Sequence, residues 1–76
     1  GKPSVMGISE VPADIGRLAN ENPEYLKELM IGKHLDYMKE HNLKVAGDVT
    51  GIVISKAYED EEEVLYVLMC VPVTAK

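Results

Sequence analysis

The chain contains no tryptophan or phenylalanine and a single cysteine, Cys70. A lone cysteine excludes an intramolecular disulfide. Its place inside the apolar stretch at 64–73 points to an inert, buried thiol in a reducing compartment, with no base or electropositive setting to activate it. No Cys/His cluster has the spacing of a zinc site. Positive charge is also scarce: eight Lys and Arg against thirteen Asp and Glu leave a formal net charge of −5. Lys27, Lys33, Lys39 and Lys44 are interleaved with acids along one segment. They form no basic stripe to displace counterions from phosphates, so direct nucleic-acid binding is not expected. The longest apolar run, VLYVLMCVPV at 64–73, is about half of what a spanning helix requires, which excludes a membrane partner. The N-terminus has no basic segment followed by an apolar one, and a cytoplasmic location is expected. No Ser-His-Asp order, paired catalytic carboxylates or glycine-rich phosphate loop is visible. Neither a cofactor nor enzymatic activity is therefore expected.

At 76 residues the chain makes one domain, spanning residues 1–76. A domain near this size buries only about 60% of the surface that it exposes unfolded. Its core rarely supplies more than ~3–5 kcal/mol without staples or association. With disulfide and metal excluded, association remains, and a homodimer is expected.

Ser4–Val11 is strand-like, and Pro12 behind it interrupts pairing. Residues 13–20 (ADIGRLAN) are ambiguous. Ala, Arg and Leu favour helix, whereas Val11, Ala13, Ile15 and Ala19 fall on one side of an extended chain. The reading adopted is a strand bent at Pro12. Asn22-Pro23-Glu24 is much clearer: an N-cap, a proline at the first helical position and an acid in the first turn. The helix it opens runs from Pro23 to about His41, with Asn42 in a left-handed cap and Leu43 folded back onto the last turn. Leu26, Met30, Ile31, His34, Leu35, Tyr37, Met38 and His41 share its broad apolar face. Gly32 marks a kink or a close approach to the sheet. Val49–Ala57 and residues 64–73 then form an antiparallel hairpin around the acidic tip EDEEE at 59–63.

The expected fold is α+β: an antiparallel sheet with one long helix packed on one face, in the order β-α-β-β. Alternation sorts the last strand into Leu65, Val67, Met69 and Val71 on one face and Tyr66, Leu68 and Cys70 on the other. The aliphatic row, with Ile52 and Ile54, is placed against the helix. Tyr66, Leu68 and Cys70, with Val53 and Ser55, are left on a face that nothing in the chain covers, through or around which the homodimer forms. An uncovered apolar face marks a partner or a ligand.

The segments VPADIG, YMKEHNLKVAGDVTGIVI and VLMCVPV, in that order and spacing, resemble the GyrI-like (gyrase-inhibitor-like) small-molecule-binding domains, which also serve as effector domains of some AraC- and MerR-type regulators. The shared features are a Val-Pro in the first strand, a helix ending in an E-H-N-L turn, a Gly-led strand and a closing Val-Pro-Val. They extend over most of residues 8–73. The resemblance implies a strand-helix-strand-strand module, normally present twice with a ligand cleft between the copies; here a second chain would supply the other copy. It also implies an acid in the final strand to meet cationic ligands. That position is Leu68 in this chain, so a strong preference for cations is not expected.

The candidate ligand-binding residues are Tyr66, Leu68, Val53 and Ser55, with Tyr37 and Met30 reaching in from the helix. Apolar walls with scattered hydroxyls suit a lipophilic small molecule. Each residue also has a plainer reading. Met30, Met38 and Met69 read first as core filler, and Tyr66 reads equally as ordinary packing or as part of a pocket or dimer interface. His34 and His41 lie about 10.5 Å apart along the helix axis, too far to share one metal, and read as structural histidines, with contact to a ligand as the alternative. The acidic tip reads as solvated, because calcium loops need a fixed spacing and a glycine turn. Three functions compete: a module that senses, sequesters or regulates by binding an apolar or amphipathic small molecule; a protein-docking module that uses the same face; and an enzyme with Tyr66 or a histidine as acid/base. The first is favoured.

Overall fold

The computed structural model describes residues 3–76. In chain order the elements are β1 (Ser4–Pro12), α1 (Ile15–Glu21), α2 (Pro23–Glu40), β2 (Leu43–Val45), β3 (Thr50–Glu59) and β4 (Glu62–Ala75). β4 is the hub of the antiparallel sheet. It pairs with β1 along one side, and with β3 and then the short β2 along the other. The fold is α+β, with the long helix α2 packed on one face of the sheet, as the alternation implies.

α2 begins and ends where its punctuation dictates. The Asn22 side-chain oxygen accepts from the Tyr25 backbone N–H at 3.2 Å, Pro23 takes the first helical position and Glu24 lies in the first turn. Asn42 takes a positive φ of 55°, and its carbonyl accepts from the Lys76 N–H, tying the helix end to the C-terminus.

The expected strand over residues 13–20 is instead helix α1. The Ala13 N–H donates to Glu63 O at 3.0 Å, and β4 begins at Glu62, so a strand continuing past Ala13 would soon outrun its neighbour. The Asp14 carbonyl accepts from the Arg17 and Leu18 N–H groups. Arg17 bonds Asp14 (Nε–Oδ2 2.9 Å) three residues back and reaches Glu21 four residues on, pairs that favour helix over strand. The apolar alternation of residues 11–19 has no sheet to serve.

The core lies between α2 and one face of β4. Val67, Met69, Val71 and Val73 are buried in a row, with Val11 from β1 and Met38 from α2. Small residues bring α2 close to β1. Ser9 is buried, and its Oγ donates to the Met30 carbonyl at 2.5 Å. A Cβ added to Gly7 would lie 2.7 Å from His34 Nε2, so the buried imidazole occupies the space that glycine leaves. The close approach therefore belongs to Gly7. At Gly32, also buried, an added Cβ would meet the side-chain end of Glu28.

Four expected placements need correction. Ile52 pairs with Leu68, and cross-strand partners share a face, so Ile52 lies away from the helix, 63% exposed. Val53 pairs with Val67 and so belongs to the helix side, yet it is exposed because α2 does not reach β3. A bulge between Val53 and Ser55 leaves Ile54 without a partner, exposed, and returns Ser55 to the face of Tyr66. On the helix, the buried line is Gly32, His34 and Met38, whereas Met30 and Leu35 are half-buried and Tyr37 and His41 exposed.

One helix on a sheet this wide leaves an open molecule. Its accessible surface is 5310 Å²; a compact monomer of the same mass has about 4,600 Å². Its radius of gyration is 13.3 Å, against about 11 Å for a compact chain of this length. The surplus centres on β3, where every residue except the half-buried Ala57 is exposed.

Because Met38 is buried and Met30 is not, Met38→Ala should cost roughly 2–5 kcal/mol of unfolding free energy and Met30→Ala distinctly less, as read by urea denaturation. Equal losses would contradict this placement of the core.

Candidate functional site

The face of the sheet opposite α2 is covered by no described element. Three ranks of side chains cross it from β1 through β4 to β3: Met6, Cys70 and Thr50; Ile8, Leu68 and Ile52; Glu10, Tyr66 and Ser55. The first two ranks form an apolar strip in which Met6 is 60%, Ile8 48% and Ile52 63% exposed, while Leu68 and Cys70 on the central strand are half-buried. A contiguous apolar strip across several strands differs from the ordinary scatter of single exposed hydrophobic residues.

The strip ends in a polar group that sequence reasoning missed. Tyr66 leans along the hairpin and donates its hydroxyl to Glu59 Oε1 at 2.6 Å. That hydrogen bond, with some burial and the charges of Glu10 and Glu59, pushes the phenol up to about 12. Glu10 and Glu59 also interact. Their hydrogen bond raises the Glu10 carboxyl above its ordinary value and, with help from the Tyr66 hydroxyl, lowers that of Glu59. The two carboxyl groups come from β1 (Glu10) and β3 (Glu59), the strands on either side of Tyr66 in β4. The signal was present for Glu10, which interrupts the apolar row of Met6 and Ile8. Glu59 was hidden inside a charge run that reads as a solvated tip. Its strand pairing continues to Glu59–Glu62, and only Asp60 and Glu61, both with positive φ, make the turn.

The six candidate residues fall in three places. Tyr66, Leu68 and Ser55 share the open face. Val53 is on the opposite side of the sheet, and so are Met30 and Tyr37, which α2 carries. Met30 lines an apolar groove of about 350 Å³ between α2 and β3, with Ile31, Val49, Gly51 and Met69. Tyr37 lines a groove of about 520 Å³ at the outer edge of β1, with Ser4, Val5, Met6, Gly7, Lys33 and His34. The second groove reaches Met6 at the margin of the open face, but neither groove includes Tyr66 or Leu68, so the six form no single pocket.

At the β1 edge, Lys33 Nζ donates to the Ile8 carbonyl, and the Tyr37 ring lies against that of His41 with centroids 4.2 Å apart. His34 is 4% exposed, and neither ring nitrogen has a hydrogen-bond partner. Burial, and then the neighbouring Lys33 charge, lower its pKa, against a smaller opposing effect of the Gly7 backbone. The imidazole is therefore held neutral in the fold. Among the described residues no group of three His, Cys, Asp or Glu is placed to hold a metal ion, and no helix is long and apolar enough to cross a membrane. No family model, curated protein or solved structure matches the chain.

Two titrations follow from this geometry. Absorbance titration of the four tyrosines should show Tyr66 ionising near 12, and Glu59→Gln, which removes the carboxylate charge, should bring that transition down. An unchanged transition would mean that the hydrogen bond does not form in solution. For His34 the folded state resists a proton that the unfolded chain accepts at an ordinary pKa of about 6.5. Stability is therefore full above that value and declines as pH falls through it. Urea denaturation between pH 7.5 and 5.5 should show this decline, and His34→Gln should flatten it. Parallel slopes in the two proteins would contradict the shielded, unpartnered imidazole.

Proposed function

We propose that the chain is a small-molecule-binding module that works as a homodimer, its binding surface the open sheet face, in a sensing, sequestering or regulatory role rather than a catalytic one. The observation that carries this reading is the strip of Met6, Ile8, Ile52, Leu68 and Cys70, left bare by the chain's own elements. Binding sites combine apolar walls with a few polar groups that fix orientation. Here the strip supplies the walls, and Tyr66 with Glu59 and Glu10 supplies the polar end. The ligand that suits the whole surface is amphipathic: an apolar body on the strip and a hydrogen-bond donor directed at the carboxylates. The resemblance to GyrI-like domains supports the same reading. Catalysis has less to recommend it, since Tyr66 is held protonated far above neutral pH and Cys70 is on the opposite side of the sheet from His34.

The surplus of exposed surface favours a second reading, a docking face for another protein. Nile red, an uncharged apolar dye whose emission shifts on leaving water, separates the two. Titration into the wild type should raise and blue-shift its emission, with amide shifts centred on Met6, Ile8, Ile52, Tyr66 and Leu68. Leu68→Glu should abolish the response while far-UV circular dichroism stays unchanged. Absence of binding by the wild type, or equal binding by both proteins, would give the docking reading its place.

A further inference from the structure

We infer that β3 is the dimer seam: two copies join edge to edge, antiparallel, through β3, with the two-fold axis close to Ile52. This deepens the proposed function in one respect, since it sets how two open faces come together, and it stands on observations separate from the ligand.

The sheet has two long edges, and the chain treats them differently. The edge of β1 is closed. Lys33 caps the Ile8 carbonyl, and Pro3 and Pro12 flank the strand. Lysines and prolines are the means by which natural sheets prevent edge pairing. The edge of β3 has no lysine or proline along VTGIVI, residues 49–54, an uncharged run whose single irregularity is the bulge at Ile54. Its Val, Ile and Thr residues favour strand, no described element pairs with its outer side, and Val53 and Ile52 are exposed on opposite faces. Left in water, such a strand is a template for pairing with another chain.

The occupant is a second copy rather than an unrelated strand, for reasons of area and charge. The accessible surface of 5310 Å² exceeds that of a compact monomer by about 700 Å², close to the ~800 Å² that each partner contributes to a stable interface. An antiparallel register centred on Ile52 places Thr50 of one copy opposite Ile54 of the other. The acidic tips, Glu59 to Glu63, point to opposite ends of the dimer, so two chains each of net charge −5 meet along their uncharged segment. A two-fold axis normal to the sheet leaves both α2 helices on one side and merges the two open faces on the other into one continuous surface, its apolar middle bounded at each end by a Tyr66–Glu59–Glu10 group.

Cross-linking tests the register. In a Cys70→Ser background, Ile52→Cys should form a disulfide-linked dimer under mild oxidation, because facing residues across the seam bring their Cα atoms within reach of an S–S bond. Leu68→Cys, a strand further from the axis on each copy, should remain unlinked. Sedimentation of the wild type at micromolar concentration should give about twice the 8.4 kDa chain mass. Ile54→Lys, which adds a charge to the bare edge at an exposed position, should weaken the dimer at least tenfold. Ile8→Lys, on the open face but away from β3, should leave it dimeric while abolishing Nile red binding. Linkage of Leu68→Cys in preference to Ile52→Cys would show the open faces docked against each other and would overturn the seam. A cooperatively folded wild-type monomer would overturn it as well. A wild type that is dimeric, and whose Ile52→Cys variant cross-links, but that binds no Nile red would count against the ligand reading alone.

Discussion

A single helix is too narrow for this sheet. An α-helix with its side chains is about 10 Å across, and neighbouring strands lie about 4.8 Å apart, so one helix seals roughly two strands. α2 lies on β1 and β4, and those strands hold every buried apolar residue of the sheet. Every residue of β3 except Ala57 is exposed, and no described element pairs with its outer edge or covers the opposite face of the sheet. The large surface, the extended shape, the apolar strip and the unprotected edge all have this one geometric cause.

The contact that the helix does make is close and unusually dependent on small residues. Gly7 leaves room for the His34 ring, and Ser9 turns its hydroxyl to a helix carbonyl. The imidazole is buried there without a partner for either nitrogen. A buried polar group without a hydrogen bond costs stability, and a protonated one would cost more. The same packing that seats α2 on β1 thus lowers the pKa of this one residue. On the far face the polar groups are arranged differently: the Tyr66 hydroxyl donates to Glu59 at the solvent boundary, with Glu10 close enough to shift the Glu59 carboxyl, which sets two carboxyl groups beside apolar surface.

Much of the fold was legible in the sequence because its signals were local and chemically specific. Asn22-Pro23 opened α2, Asn42 closed it, and alternation along β4 separated Val67, Met69 and Val71 from Tyr66, Leu68 and Cys70. What could not be read depended on partners. Residues 13–20 alternate like a strand, but only knowledge of where β4 begins shows that no neighbour awaits them. The faces of Ile52 and Val53 depend on register, which a one-residue slip inverts, and the bulge at Ile54 inverts them again before Ser55. His41 sits on the expected helical face but just past the last residue of α2, and is exposed. Of the site, Tyr66 and Leu68 could be placed on the open face because β4 is central and regular, whereas Glu59 and Glu10 are joined to Tyr66 only through pairings of strands distant in the chain.

The claim on which the rest turns is that β3 is covered in solution by something other than its own chain. Amide hydrogen exchange along β3, followed as the protein is diluted, measures this directly. The outward-facing amides between Thr50 and Ala57 should be protected in concentrated protein and lose that protection on dilution, while those of β1 stay unchanged. Outward-facing β3 amides that exchange at the rate of an open edge at every concentration would contradict the account.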